Sequence, residues 1–133
     1  MNKINIFNEK KYPIKVDRVK QIVNKTLRNQ KIKLKTEVNI NFVDDPNMTV
    51  LHKKFMYEDG TTDVLSFPIE ELKSDKGPKI KFKNPGNLVQ LGDIVVCYPQ
   101  AKRQAKNYDL TTSEEINRLV EHGLLHLLGI HHE

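Results

Sequence analysis

The sequence predicts a single α/β (α+β) domain over residues 1–133, with a metal site on its C-terminal helix and the turn after it. Three observations carry this. Four short alternating or apolar segments are interleaved with segments of helical period. The length of 133 residues suits one hydrophobic core. Four of the five histidines fall within the last twelve residues.

The elements follow in order. Residues 2–8 alternate, with Ile4 and Ile6 on one side, and read as a first strand. After Pro13 a helix is expected over 16–28, burying Val16, Val19, Ile22, Val23 and Leu27. Residues 37–43 alternate with Val38, Ile40 and Phe42 inward, a second strand. Asp45 is the expected N-cap of a short helix, with Pro46 at its first position. That helix runs to about Phe55, anchored by Met48, Leu51 and Phe55, and its His52 reads as a surface residue. Residues 62–68 form a third strand ended by Pro68. Residues 70–90 hold two glycines, two prolines and five lysines, and read as an insertion or long hairpin, expected to be mobile. Residues 91–96 are apolar enough for a central fourth strand. A helix starts at Pro99 and runs through Asn107. Thr112 with Glu115 fits a capping box for the last helix, whose core face is Ile116, Leu119, Val120, Gly123 and Leu127.

Composition narrows the function classes. Apolar residues are 38% and charged residues 29%, a globular balance rather than a disordered one. No apolar run approaches the roughly 20 residues of a membrane span, and the N-terminus lacks a signal-peptide block. Cys97 is the only cysteine, so no internal disulfide is available, and a buried inert thiol in a strand is expected. A cytoplasmic protein is expected. The net charge of +5 is uneven: residues 1–35 carry eleven Lys/Arg against Glu9 and Asp17. Such a segment suits a polyanion, nucleic acid first, or simply a solvated surface.

The chemistry lies at the end of the chain. His122 and His126 are i and i+4, one turn apart on one helical face. That spacing lets two imidazoles share a metal ion. Gly129 can take a left-handed conformation, end the helix and turn the chain so that His132 reaches the same ion. His122-x3-His126-x5-His132 supplies three nitrogen ligands and leaves a fourth position open, the arrangement of a catalytic zinc rather than a closed structural one. The rival that these histidines merely cap and pack a helix suits one histidine better than three. A purification tag would be an uninterrupted run. By sequence proximity, the general-base candidates are Glu121, His131 and Glu133.

Three segments carry a family resemblance: Thr-Asp-Val-Leu-Ser-Phe at 62–67, Leu-Gly-Asp-Ile at 91–94, and His122-Gly-x-Leu-His126-Leu-x-Gly129-x-x-His132. With them the chain resembles the YbeY family, bacterial endoribonucleases that act as rRNA maturation factors. The resemblance spans about residues 4–133. It implies a small mixed four-stranded sheet with helices, and zinc, one ion per chain, on His122, His126 and His132. It further implies metal-dependent cleavage of single-stranded RNA, in maturation and quality control of 16S (small-subunit) rRNA, with ribosome association. Neither a membrane nor a DNA partner is expected. Two positions depart from the family pattern: His131 stands where aspartate is usual, and Met56 where an arginine is usual. A methionine cannot hold a phosphate as a cation would.

Two other readings come from the same residues. The spacing also resembles the metzincin peptidases, but those carry a glutamate general base directly after the first histidine, and here Gly123 stands there. The chain could also be a zinc-stabilised ribosome- or RNA-binding factor with little or no cleavage.

Overall fold

In a computed structural model, described at residues 2–56, 60, 62–69, 82–83 and 88–130 (backbone alone at 82–83), helices pack on both faces of one mixed sheet. The elements are β1 (Lys3–Phe7), α1 (Val16–Asn29), β2 (Thr36–Val43), α2 (Asp45–Met56), β3 (Val64–Pro68), β4 (Phe82–Lys83), β5 (Leu88–Cys97), α3 (Tyr98–Asn107) and α4 (Thr112–Leu127). The strand order is β1-β2-β5-β3, with the two-residue β4 also on β5. β1, β2 and β5 are parallel, whereas β3 and β4 run antiparallel to β5. The expected four-stranded mixed sheet is present, with β4 as an addition.

β5 is central because both its faces are buried. Ile94 and Val96 join the larger core with Val38, Ile40, Val19, Val23, Leu27, Val120 and Leu124 from β2, α1 and α4. Val95 and Cys97 join a smaller core with Met48 and Leu65. An apolar run is what a strand covered on both faces requires. It begins at Leu88, earlier than the pattern at 91–96 indicated.

Several local expectations are corrected. The capping box is one residue earlier: Thr111 Oγ1 accepts from the Glu114 amide at 3.1 Å, and Glu114 Oε1 from the Thr111 amide at 2.8 Å. At α2, Asp44 rather than Asp45 is the cap, its Oδ1 accepting from the Asn47 amide at 2.9 Å. Both displacements have one cause. Two residues of the same capping type stand side by side, and only the entry path of the chain chooses. Val16 is 41% exposed instead of joining the stripe, because the stripe closes on Val19, Val23 and Leu27. Phe55 is 38% exposed and meets Phe67 edge-on instead of anchoring α2. His52 is buried, with Nδ1 3.1 Å from the Gly60 carbonyl oxygen, not a surface residue. Nearly all of the 70–90 segment lies outside the described residues. No helix among the described residues is long and apolar enough to cross a membrane.

Candidate metal and RNA site

α4 carries the site, and packing sets its depth. Gly123 lies against the sheet: a Cβ there would come within 2.9 Å of Ile94 Cγ2. The absent side chain lets α4 settle onto β5, and Ile94 pairs across to Ser66 of β3. His122 and His126 flank this contact. Their ring centroids are 4.7 Å apart with planes tilted by 46°, side by side on one face as the i, i+4 spacing requires.

Both rings face a cleft of about 340 Å³ between α4 and β3. Met56, Val64, Leu65, Ser66, Pro68 and Gly123 complete its walls. Most are apolar, and the Ser66 hydroxyl is the polar group opposite the imidazoles. None of these walls carries a cation, and Met56 is 51% exposed beside the two histidines. Sequence reading did not identify the β3 wall as part of the site, although it lies within the segment 62–67 that carries the resemblance.

A β-bulge shapes the rim of the cleft. Glu37 pairs with Gln90 but Val38 with Gly92, so Leu91 is the extra residue on β5. Gly92 has φ +135°, and a Cβ there would run into the Phe67 carbonyl oxygen. The glycine of the 91–94 segment is therefore what lets β3 approach at Phe67 and Pro68. Asp93 of the same segment has a different task. It accepts from Asn39 Nδ2 at 2.7 Å, and Asn39 in turn accepts from Asn5 at 2.9 Å, a polar ladder across three parallel strands.

Two turns before the histidines, α4 carries a buried acid that was read only as a cap. Glu115 is fully buried, and Arg118 closes on it through Nε and Nη2, both at 2.7 Å. Gln104 Nε2 donates to Glu115 at 2.8 Å and to Asp63 Oδ2 at 3.2 Å. Burial pushes the Glu115 carboxyl up. The hydrogen bonds from Arg118 and Gln104, with the Arg118 charge, outweigh that and hold it below the ordinary glutamate value. This network ties α3 and α4 to Asp63, the residue that leads into β3. It fixes the two walls of the cleft relative to each other.

The helix ends as Gly129 requires. Gly129 has φ +79°, its amide donates to the His126 carbonyl at 3.0 Å, and the Ile130 amide donates to the Leu125 carbonyl at 2.9 Å. These two bonds make a Schellman motif and turn the chain off the helix axis. His131, His132 and Glu133 lie outside the described residues, so the third expected ligand and two general-base candidates are not placed. Among the described residues no group of three or more His, Cys, Asp or Glu could hold a metal. Two imidazoles on one cleft face, with the chain turning just beyond, are a donor set that suits zinc once a third nitrogen joins. Glu121 is half-buried on α4 and does not line the cleft.

Comparison with known proteins identifies a family. A sequence model of the family described as "Endoribonuclease YbeY" matches residues 5–133. The chain is 36% identical over 129 residues to the Endoribonuclease YbeY of Acidothermus cellulolyticus, covering 97% of this chain and 78% of that protein. It is 41% identical over 115 residues to that of Persephonella marina, covering 86% and 68%. A protein of Thermotoga maritima solved in solution superposes with a TM-score of 0.61 at 27% identity, covering 98% of this chain and 75% of that one. The family model over residues 5–133 and these relatives place the chain in the YbeY endoribonuclease family.

Proposed function

We propose that this chain, as one domain over residues 1–133, is a zinc-dependent endoribonuclease acting on single-stranded RNA. It would hold one ion on His122, His126 and His132. The observation that carries this is the pair of imidazoles one turn apart, facing a cleft between α4 and β3. Family membership supports the reaction class, and the donor set supports the metal. We further propose that it works in the cytoplasm, at the ribosome, in maturation and quality control of 16S rRNA.

When bound, the ion would polarise a phosphoryl oxygen and lower the pKa of bound water to about 7. The chain's own contribution is positional. His122 and His126 are presented at fixed depth by the Gly123–Ile94 contact. Met56, Val64, Leu65 and Pro68 give the cleft mostly apolar walls, and Ser66 offers a hydrogen bond to a sugar or phosphate oxygen. Glu121 lies outside the cleft walls, which leaves His131 and Glu133 as the protein groups to test as proton carriers. The neighbouring 2′-hydroxyl of RNA is the alternative nucleophile.

One observation favours a second reading, an RNA- or ribosome-binding factor with little cleavage: among the described residues the cleft walls hold no Lys or Arg, and Met56 stands where one would serve. A metallopeptidase is disfavoured sterically. The position after the first histidine, where such enzymes need a glutamate, is Gly123, and a Cβ there would press on Ile94 at 2.9 Å. Incubation of single-stranded RNA, duplex RNA and peptide mixtures with the metal-loaded protein, with and without chelator, separates the three. Chelator-sensitive cleavage of single-stranded RNA alone is the expected result. Intact RNA at full metal loading would move the conclusion to the binding factor.

A further inference from the structure

α1 and α4 both pack in the larger core. Asn2 ties Asn24 of α1 to Thr36, and Thr36 pairs with Val89 near the start of β5. His126 shares its cleft with Pro68, which pairs with Gly92 in the first half of the same strand. The C-terminal part of α1 and His126 therefore lie towards the same end of the sheet. A concavity of about 580 Å³ opens there, lined by Asn2, Asn24, Leu27, Arg28, Lys31, Ile32 and Lys33. Its described lining holds three cations and no carboxylate. Arg28, Lys31 and Lys33 are all exposed, and none makes an ion pair among the described residues.

The floor of the concavity is hydrogen-bonded. Asn2 Nδ2 donates to Asn24 Oδ1 at 2.9 Å, and Asn2 Oδ1 accepts from the Thr36 amide at 3.1 Å and its hydroxyl at 3.0 Å. The bland explanation is that basic residues sit here to compensate the carbonyls at the end of a helix. Three of the last four carbonyls already have donors. The Gln30, Lys31 and Ile32 amides donate to the Thr26, Arg28 and Leu27 carbonyls at 3.0, 3.0 and 2.9 Å. The turn places Lys31 at φ +60°, where glycine is the usual residue and a side chain costs about 1–2 kcal/mol. A lysine kept at a strained position, beside two further unpaired cations over a hydrogen-bonded polar floor, points to an anionic ligand.

We propose that Arg28, Lys31 and Lys33, over the Asn2–Asn24 floor, form a second RNA contact that grips backbone phosphates several nucleotides from the bond cleaved. The inference rests on RNA being the substrate of the α4 cleft. Beyond the ion this cleft would hold, its described walls carry no Lys or Arg, so charge contacts to the rest of a polyanion would come from elsewhere on the surface. This cradle supplies them without touching the reacting atoms. The signature is a dependence on RNA length: a strand too short to reach from the cleft to the end of α1 gains nothing from it.

The test uses the full chain, metal-loaded, with fluorescent single-stranded oligonucleotides of about 5 and about 20 nucleotides. They are 2′-O-methylated so that binding is read without cleavage. Affinity is measured against salt for wild type, for R28E/K31E/K33E, and for the milder R28Q/K31G/K33Q, whose glycine suits the left-handed turn. Each single-strand phosphate contact contributes about 0.7 to the salt slope, so losing three should lower it by about 2. Affinity for the long strand should fall at least tenfold in both variants, with the short strand unchanged. Unchanged long-strand affinity and slope in folded variants would overturn the proposal, as would an equal loss for both lengths. Cleavage of the short unmodified strand is followed in parallel. If wild type fails to cleave it, the nuclease reading falls while the binding comparison still decides the cradle.

Discussion

The two halves of α4 use polar residues in opposite ways. In the first half, Glu115 is fully buried, and Arg118 and Gln104 satisfy both its oxygens. In the second half, His122 is exposed, and it and the half-buried His126 face the cleft, positioned by the packing of Gly123 on Ile94. A buried acid without partners would cost several kcal/mol, so the first half is closed and serves the fold. A metal ligand needs its nitrogens open to an ion, so the second half is left accessible. One helix thus separates stability from chemistry by about two turns, and substitutions should divide along the same line.

The largest effect is expected in the second half, in activity and metal binding but not in metal-free stability. His126→Ala should lower RNA cleavage by on the order of 10²–10³-fold, the scale of losing one preorganised electrostatic contact. Metal binding should weaken with it, while the metal-free melting temperature stays near wild type. A large drop in metal-free stability would break the division, because it would make His126 part of the fold.

Arg118→Ala is the mirror image. It leaves the Glu115 charge buried with Gln104 as its remaining described side-chain partner. Since Arg118 is itself half-exposed and water screens the pair, the cost should be about 1–3 kcal/mol in denaturant unfolding. Metal stoichiometry should stay at one per chain. Acid titration extends the comparison. The folded Glu115 carboxyl lies below its unfolded value, so its stabilisation is complete above the ordinary glutamate range and is lost as pH falls through the lower folded value. Acid release of metal is set by the ligand nitrogens and not by Glu115, so the two losses are independent. Circular dichroism and metal release followed together should therefore show two separated transitions. A single merged transition would mean the halves are coupled.

Gly123→Ala acts at the boundary. Its Cβ would press on Ile94, and overpacking of this kind costs about 1–3 kcal/mol, partly offset by up to about 1 kcal/mol of helix propensity. A net loss of about 1 kcal/mol is expected, with weaker metal binding because both histidines lift away from β3. Gly129→Ala is the smallest change, about 1 kcal/mol for a side chain in the left-handed turn. It should touch metal affinity more than stability, since the turn directs the chain on towards His132.

The same division explains what the sequence made readable. The histidine spacing, Gly129 as the turning residue and the alternation in β1 and β2 are local patterns, and local patterns survive in one dimension. The burial of Val95 and Cys97 opposite Ile94 and Val96 was visible as a continuous apolar run. The Glu115 network was not legible, because Asp63, Gln104 and Glu115 come from three separate places in the chain and none is unusual alone. Glu115 was instead read as part of a cap, since Thr111 and Thr112 are equally able to begin a helix. His52 was missed for a related reason. Its burial depends on Gly60 folding back over α2, which no periodicity announces. Met56 and Ser66 became cleft walls only when β3 was laid beside α4.

The most direct test of the central claim is metal content by elemental analysis of the untagged protein and of His122→Ala, with single-stranded RNA cleavage measured on the same samples. The account predicts close to one zinc per wild-type chain, with metal and cleavage both lost in the folded variant. A folded wild type that binds no metal, or a variant that cleaves as well as wild type, would contradict it.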